Sequence, residues 1–174
     1  MIFLVTGEIN EGKTRYMRSL YQELGEGDGF ICPKVFENGE FQRYDIQRLS
    51  SNKSRPFACP IDALPANWDE QYRFGKYSFS SKAIHFAEQI INELIENKIE
   101  PIIIDEVGPL EIENHEGFYE VIKKVIDSGL SGFISVRKPM VDKFEKSFGI
   151  EPQIISKRCL WHTNFINSDS KIMR

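Results

Sequence analysis

The chain has 174 residues, 41% hydrophobic and 12% aromatic, enough for one domain with a real core. Its 22 basic and 26 acidic residues leave a net charge of −4, which argues against a general phosphate-backbone binder and for no nucleic-acid partner. Three cysteines, Cys32, Cys59 and Cys159, stand far apart and never in C-x-x-C spacing, so neither a disulfide framework nor a zinc knuckle is readable. Free thiols of a cytoplasmic protein are expected. Met1-Ile2-Phe3-Leu4-Val5 lacks the basic flank and apolar length of a signal peptide, and no run approaches the ~18 apolar residues of a membrane span.

In chain order the elements alternate. Residues 2–5 form a short apolar run that ends at Thr6-Gly7, as a buried strand feeding a turn does. From Lys13, Met17, Leu20, Tyr21 and Leu24 fall on one helical face, with Gly25 placed to close the helix. Between residues 30 and 49 two strand-like runs flank Glu37-Asn38-Gly39-Glu40, and Asn-Gly in that setting predicts a β-hairpin. Residues 50–75 carry Pro56, Pro60 and Pro65 and no periodicity, which predicts an irregular stretch serving as a lid or an added edge strand. Ser80-Ser81 caps a helix running to about Asn97. A second buried strand follows at residues 101–105, a helix over 114–128, a third strand at 132–136, a helix opened by Pro139 and a short last strand at 153–155. This pattern predicts one α/β domain over residues 1–174, with a mostly parallel sheet, helices on both faces and a hairpin insertion.

Gly7-Glu8-Ile9-Asn10-Glu11-Gly12-Lys13-Thr14 is a complete G-x-x-x-x-G-K-[ST] loop, directly after a buried strand and directly before an amphipathic helix. In such a loop backbone N–H groups and the helix N-terminus converge on phosphate oxygens. Lys13 would neutralise the β- and γ-phosphates, and the Thr14 hydroxyl would hold Mg²⁺. The run Ile102-Ile103-Ile104-Asp105-Glu106-Val107-Gly108-Pro109-Leu110-Glu111 places an acidic pair at the end of a hydrophobic strand. Asp105 would hold Mg²⁺ directly or through its water, and Glu106 would polarise an attacking water. Glu111 reads either as a carboxylate orienting water or metal or as a solvated residue before the next helix. Arg137 is the first candidate for a cation on the transferring phosphoryl, because the carboxyl ends of parallel strands face the ligand crevice; Lys138, Arg158 and Arg15 follow it.

Base recognition is barely legible. Asn97-Lys98-Ile99-Glu100 imitates a guanine-reading motif but precedes a strand and so lies at the wrong edge. Trp68, Tyr72, Phe74 and Trp161 could stack on a base, with core packing or lid contacts the plainer reading. His85, His115 and His162 have no catalytic partners nearby in the sequence.

The order of these features is similar to that of the cancer-related nucleoside-triphosphatase family, small P-loop proteins also found as thermophile nucleoside triphosphatases. The resemblance rests on the P-loop, Gly29-Phe30 before the Glu37-Asn38-Gly39 hairpin, Gly75-Lys76-Tyr77, and Asp105-Glu106-Val107-Gly108-Pro109-Leu110-Glu111. It spans roughly residues 1–155. It implies a RecA-like P-loop fold and slow Mg²⁺-dependent hydrolysis of several nucleoside triphosphates to diphosphate and phosphate. Carried over, the nucleotide-binding segments would be residues 7–14, with Arg15 beside them, and residues 104–111, with Glu106 as the base. The chain departs from the family where small residues are favoured, carrying Glu8, Ile9, Asn10 and Glu11 there, and Arg15 where a second threonine is common. From the residues alone, a P-loop kinase and a nucleotide-dependent switch awaiting a partner remain open beside the hydrolase. Arg55 and Arg73 with Asp62 and Asp69 are the candidates for the kinase reading.

Overall fold

The computed structural model describes residues 1–156, so Arg158, Cys159, Trp161 and His162 lie outside the described residues. Ten strands form one sheet. They are β1 (Ile2–Gly7), β2 (Asp28–Ile31), β3 (Lys34–Glu37), β4 (Glu40–Arg48), β5 (Ser54–Pro60), β6 (Glu70–Phe74), β7 (Tyr77–Ser80), β8 (Ile102–Val107), β9 (Gly132–Arg137) and β10 (Gln153–Ser156). The helices are α1 (Lys13–Leu24), α2 (Ser81–Glu96), α3 (Pro109–Ile112), α4 (Tyr119–Ser128) and α5 (Val141–Phe148). The strand order is β10-β1-β9-β8-β2-β4-β5-β7-β6, with β3 paired to β4. From β10 to β2 every pairing is parallel, and from β2 to β6 every pairing is antiparallel.

The parallel half follows from its runs of β-branched residues, which suit strands buried on both faces. Alternate residues feed two apolar clusters. Leu4, Phe30, Ile102 and Ile104 pack with residues of α2, α4 and α5, whereas Val5, Ile31 and Ile103 pack with Met17 of α1. No helix of the described residues is long and apolar enough to cross a membrane.

The hairpin expected around Asn38-Gly39 is β3–β4, and β4 continues to become the first antiparallel partner of β2. Residues 50–75, read from the sequence as irregular, hold two strands. Their period-2 signal is lost because β5 is bulged: Tyr44 faces Ala58 while Asp45 faces Pro56, leaving Phe57 extra, and Phe57, Ala58 and Cys59 are buried in succession. Pro56 sits at this irregularity, where the ladder tolerates a missing N–H.

The helix expected over residues 114–128 begins only at Tyr119, as α4; the residues before it form a turn in which His115 and Gly117 have positive φ, and the short α3, not expected from the sequence, precedes that turn. Gly117, at φ +58, is required there because a Cβ would lie 2.3 Å from Glu111 Oε1. Phe118, wholly buried beyond that turn, stacks on Phe57 at 4.9 Å and meets Phe30 at 4.9 Å. It joins the parallel half, the antiparallel half and α4 in one contact. Replacing Phe118 by Ala is expected to cost about 3–5 kcal/mol in a denaturant melt, whereas a loss under about 1 kcal/mol would show that this aromatic junction is not central to the core.

Candidate active site

Because β1, β9, β8 and β2 are parallel, their carboxyl ends lie at one edge of the sheet, the edge where open α/β folds hold ligands. Four segments leave the sheet there: the loop after Gly7, the chain after Arg137, the Asp105-Glu106 end of β8, and Cys32-Pro33 leading into β3.

The loop between β1 and α1 turns through Asn10 at φ 62 and Gly12 at φ 87, the left-handed backbone that aims successive amides into a concavity. Lys13, only 7% exposed, folds its amine back onto the loop and donates to the carbonyls of Glu8 at 2.9 Å and Gly7 at 3.3 Å. The Glu8 N–H donates to Glu11 Oε2 at 2.6 Å. A Cβ at Gly7 would meet that carboxylate oxygen at 2.7 Å and Lys13 Cγ at 3.4 Å, so glycine is what lets both side chains lie across the strand end. Glu8, Ile9, Asn10 and Glu11 are exposed, Thr14 is half-buried in the first turn of α1, and Arg15 points to solvent.

The end of β8 is bulged. Ile104 pairs with Ile134 and Val107 with Val136, so two residues, Asp105 and Glu106, face the single Ser135 of β9. Asp105 is wholly buried, and its two oxygens accept from different segments: Oδ2 from the Cys32 N–H just after β2 at 3.1 Å, Oδ1 from the Ser135 hydroxyl of β9. The same Ser135 oxygen accepts the Glu106 N–H at 2.9 Å. Glu106 therefore sits at φ 67, a backbone region that a glutamate rarely occupies and that active sites often hold under constraint. Burial and the neighbouring Asp105 push its carboxyl above the usual range, while Lys13, Arg137 and Lys34 pull it down; the upward shift prevails.

Arg137 stands in register with Gly7, half-buried, and its charge acts on both Glu106 and Tyr44. Lys138 is exposed. Glu111 is buried and not a solvated residue: its Oε2 accepts the Gly108 N–H at 2.9 Å and its Oε1 the Phe118 N–H at 3.3 Å. It fastens the chain that follows the acidic pair. Ile104, Val107 and Gly108 are buried around that pair. Trp68, Tyr72 and Phe74 lie on or beside β6, the far edge of the sheet, and Trp68 donates to Ser78 Oγ there. Sequence reasoning missed Ser135 and Lys34. A serine inside the otherwise apolar run of β9 was the available signal for the first; Lys34 arrives only through the antiparallel half.

Thr14 and Asp105 supply hard oxygen donors, and among the described residues no group of three or more His, Cys, Asp or Glu side chains could enclose a metal by itself. Such a set suits Mg²⁺, which keeps several waters and takes its remaining ligands from substrate phosphates.

A family model described as NTPase matches residues 2–155. The nucleoside-triphosphatase THEP1 of Saccharolobus solfataricus is 28% identical over 142 residues, covering 79% of this chain and 71% of that protein. The protein of the same name from Sulfurisphaera tokodaii is 31% identical over 143 residues, covering 79% and 72%. Among solved structures, THEP1 from Aquifex aeolicus superposes with a TM-score of 0.65 at 18% identity, over 90% of this chain and 89% of that one. A human cancer-related nucleoside triphosphatase superposes with a TM-score of 0.60 at 18% identity, over 88% and 87%. These two share the fold.

Burial pushes the Glu111 carboxyl up to about 7 against the pull of its backbone hydrogen bonds. The folded state thus keeps a proton that the unfolded chain, titrating near about 4.3, has released. That contribution to stability is full below the unfolded value and is lost as the pH rises through about 7. Denaturant melts at pH 5 and pH 8 should show wild type losing about 2–3 kcal/mol relative to Glu111→Gln over that interval. Parallel pH dependences in the two proteins would contradict the assignment.

Proposed function

The chain belongs to the NTPase family matched over residues 2–155, and from that premise we propose that it moves the terminal phosphoryl of ATP, GTP and related nucleoside triphosphates to a water held by Glu106, in a Mg²⁺-dependent reaction. The chain is a nucleoside-triphosphatase; the choice of substrates, the metal and the role of Glu106 are what is proposed. One observation carries the reading. The bulge that buries Asp105 against Ser135 turns the next carboxylate, Glu106, out of the sheet into the field of Lys13, Arg137 and Lys34.

A triphosphate entering the loop would replace the carbonyls of Gly7 and Glu8 as partners of the Lys13 amine, which is already held at the mouth of the loop. The loop amides and the N-terminus of α1 bind the remaining phosphate oxygens. Thr14 and Asp105 would hold Mg²⁺, which would supply positive charge against the phosphates. Asp105 keeps lone pairs for this role, since each oxygen receives one protein donor. Glu106 accepts a proton from the attacking water as the new P–O bond forms and the bond to the departing diphosphate breaks. Burial and Asp105 raise its pKa, which makes it a stronger base than an ordinary carboxylate. Arg137, in register with Gly7, would receive charge developing on the transferred group.

Three of the four side chains that left a kinase open, Asp69, Arg73 and Arg55, are engaged elsewhere. Asp69 accepts from Ser80, Ser81 and the Lys82 N–H at the start of α2, Arg73 pairs with Glu70, and Arg55 lies over the Phe86 ring at 5.5 Å. These contacts favour water as the acceptor. The described cysteines, Cys32 and Cys59, are both free, which supports the cytoplasm as the compartment.

Phosphate release from Mg-ATP and Mg-GTP without an added acceptor tests the reading. Lys13→Ala is expected to abolish tight triphosphate binding and turnover. Glu106→Gln should keep binding while slowing turnover by about 10²-fold or more. Unchanged turnover in the Gln variant would remove Glu106 from the role of base.

A further inference from the structure

Lys34 is the first residue of β3, and nothing in the phosphate loop or the acidic strand end calls for it. Its ammonium nevertheless reaches across to the loop and donates to Asn10 Oδ1 at 2.7 Å. It is also one of three cations close enough to act on the Glu106 carboxylate, with Lys13 and Arg137. Each comes from a different segment: Lys13 from the loop, Arg137 from the end of β9, Lys34 from the hairpin.

Its position is built by the backbone. The Cys32 N–H holds Asp105 Oδ2, Pro33 O accepts the Asp45 N–H at 3.0 Å, and Lys34 then pairs with Tyr44 in the antiparallel ladder. The register of β3 is therefore tied on one side to the acidic strand end and on the other to β4. Asn10 holds the free end of the side chain over the loop, and its left-handed backbone keeps that amide at the loop tip. The acids nearby, Glu8 and Glu11 on the loop with Asp105 and Glu106 across from it, make this edge unfavourable for a polyphosphate unless cations outnumber what Lys13 supplies.

We propose that Lys34 is a catalytic residue supplied in cis by the hairpin, whose ammonium binds the terminal phosphoryl oxygens and takes up charge as the bond to the leaving diphosphate breaks. The inference rests on the hydrolase reading above. It names the group that other P-loop proteins draw from a lid or a partner, and it explains why β3 is pinned to the loop side of the sheet. A cation acting on charge that develops during transfer affects turnover far more than ground-state binding.

The test is Lys34→Met, with Lys34→Arg as the conservative variant and thermal melts to confirm folding. Lys34 is exposed at a strand start, so the core is untouched. Three quantities are measured: phosphate release from Mg-ATP, affinity for Mg-ADP, and affinity for Mg-ADP with aluminium fluoride, which mimics the transferring phosphoryl. Lys34→Met is expected to lower turnover by about 10²-fold or more and the fluoride-complex affinity by a similar factor, with ADP affinity within about threefold of wild type. Lys34→Arg should restore most of both. Equal losses of the two affinities would mean that Lys34 only fastens the loop through Asn10, and turnover within about threefold of wild type would mean that it does neither. A wild-type protein that releases no phosphate would overturn the hydrolase reading alone. The two affinities would then still decide the role of Lys34.

Discussion

The Ser135 hydroxyl is the constraint on which the site depends. It donates to Asp105 and accepts from the Glu106 N–H, so one oxygen satisfies both residues of a bulge at the end of β8. Without it a wholly buried carboxylate would lose one of its two donors and a backbone N–H would be orphaned, at a cost of about 1–3 kcal/mol for each unsatisfied group. The left-handed backbone at Glu106 persists because the flanking ladder and this hydroxyl over-determine it. A buried acid that stays in the sheet and a neighbouring acid turned out of it are thus products of one extra residue.

The charges around that bulge are arranged so that no acid at the edge stands alone. Cys32 lends its N–H to Asp105, Lys13 covers the carbonyls of the phosphate loop, and Lys34 and Arg137 approach Glu106 from opposite segments. Glu111 is the exception that proves instructive: buried and held by two backbone N–H groups, it holds the turn to α4 in place. The antiparallel half of the sheet is more than an appendage to this arrangement. It sets the register that carries Lys34 to the loop, and through Arg48, which pairs with both Asp28 and Glu93, it is tied to β2 and α2.

Much of this was legible in the sequence because it is local. A glycine-framed loop between an apolar run and an amphipathic helix, and an acidic pair closing a run of isoleucines, each fit within about ten residues, and local spacing is what sequence reveals directly. The partners that complete the site are not local. Ser135 lies 30 residues from Asp105, Cys32 lies 73 away, and Lys34 lies 24 from Asn10, so each pairing exists only once the strand order is known. Bulges hid β5 by breaking its alternation, and the turn at Gly117, packed against the buried Glu111, delays to Tyr119 a helix that apolar periodicity alone starts at residue 114. The sequence favours Arg137 over Arg15 because Arg137 ends a parallel strand; in the fold Arg137 is in register with Gly7 and Arg15 faces solvent.

The most direct test of this account is the rate of phosphate release from Mg-ATP by Ser135→Ala, measured beside its affinity for Mg-ADP and its melting curve. A folded variant that binds nucleotide within about threefold of wild type but turns over at least about tenfold more slowly is the expected result, since the loop is untouched while Glu106 is no longer aimed. A folded variant with wild-type turnover would contradict the claim that the Ser135-fastened bulge is what makes this sheet edge a catalyst.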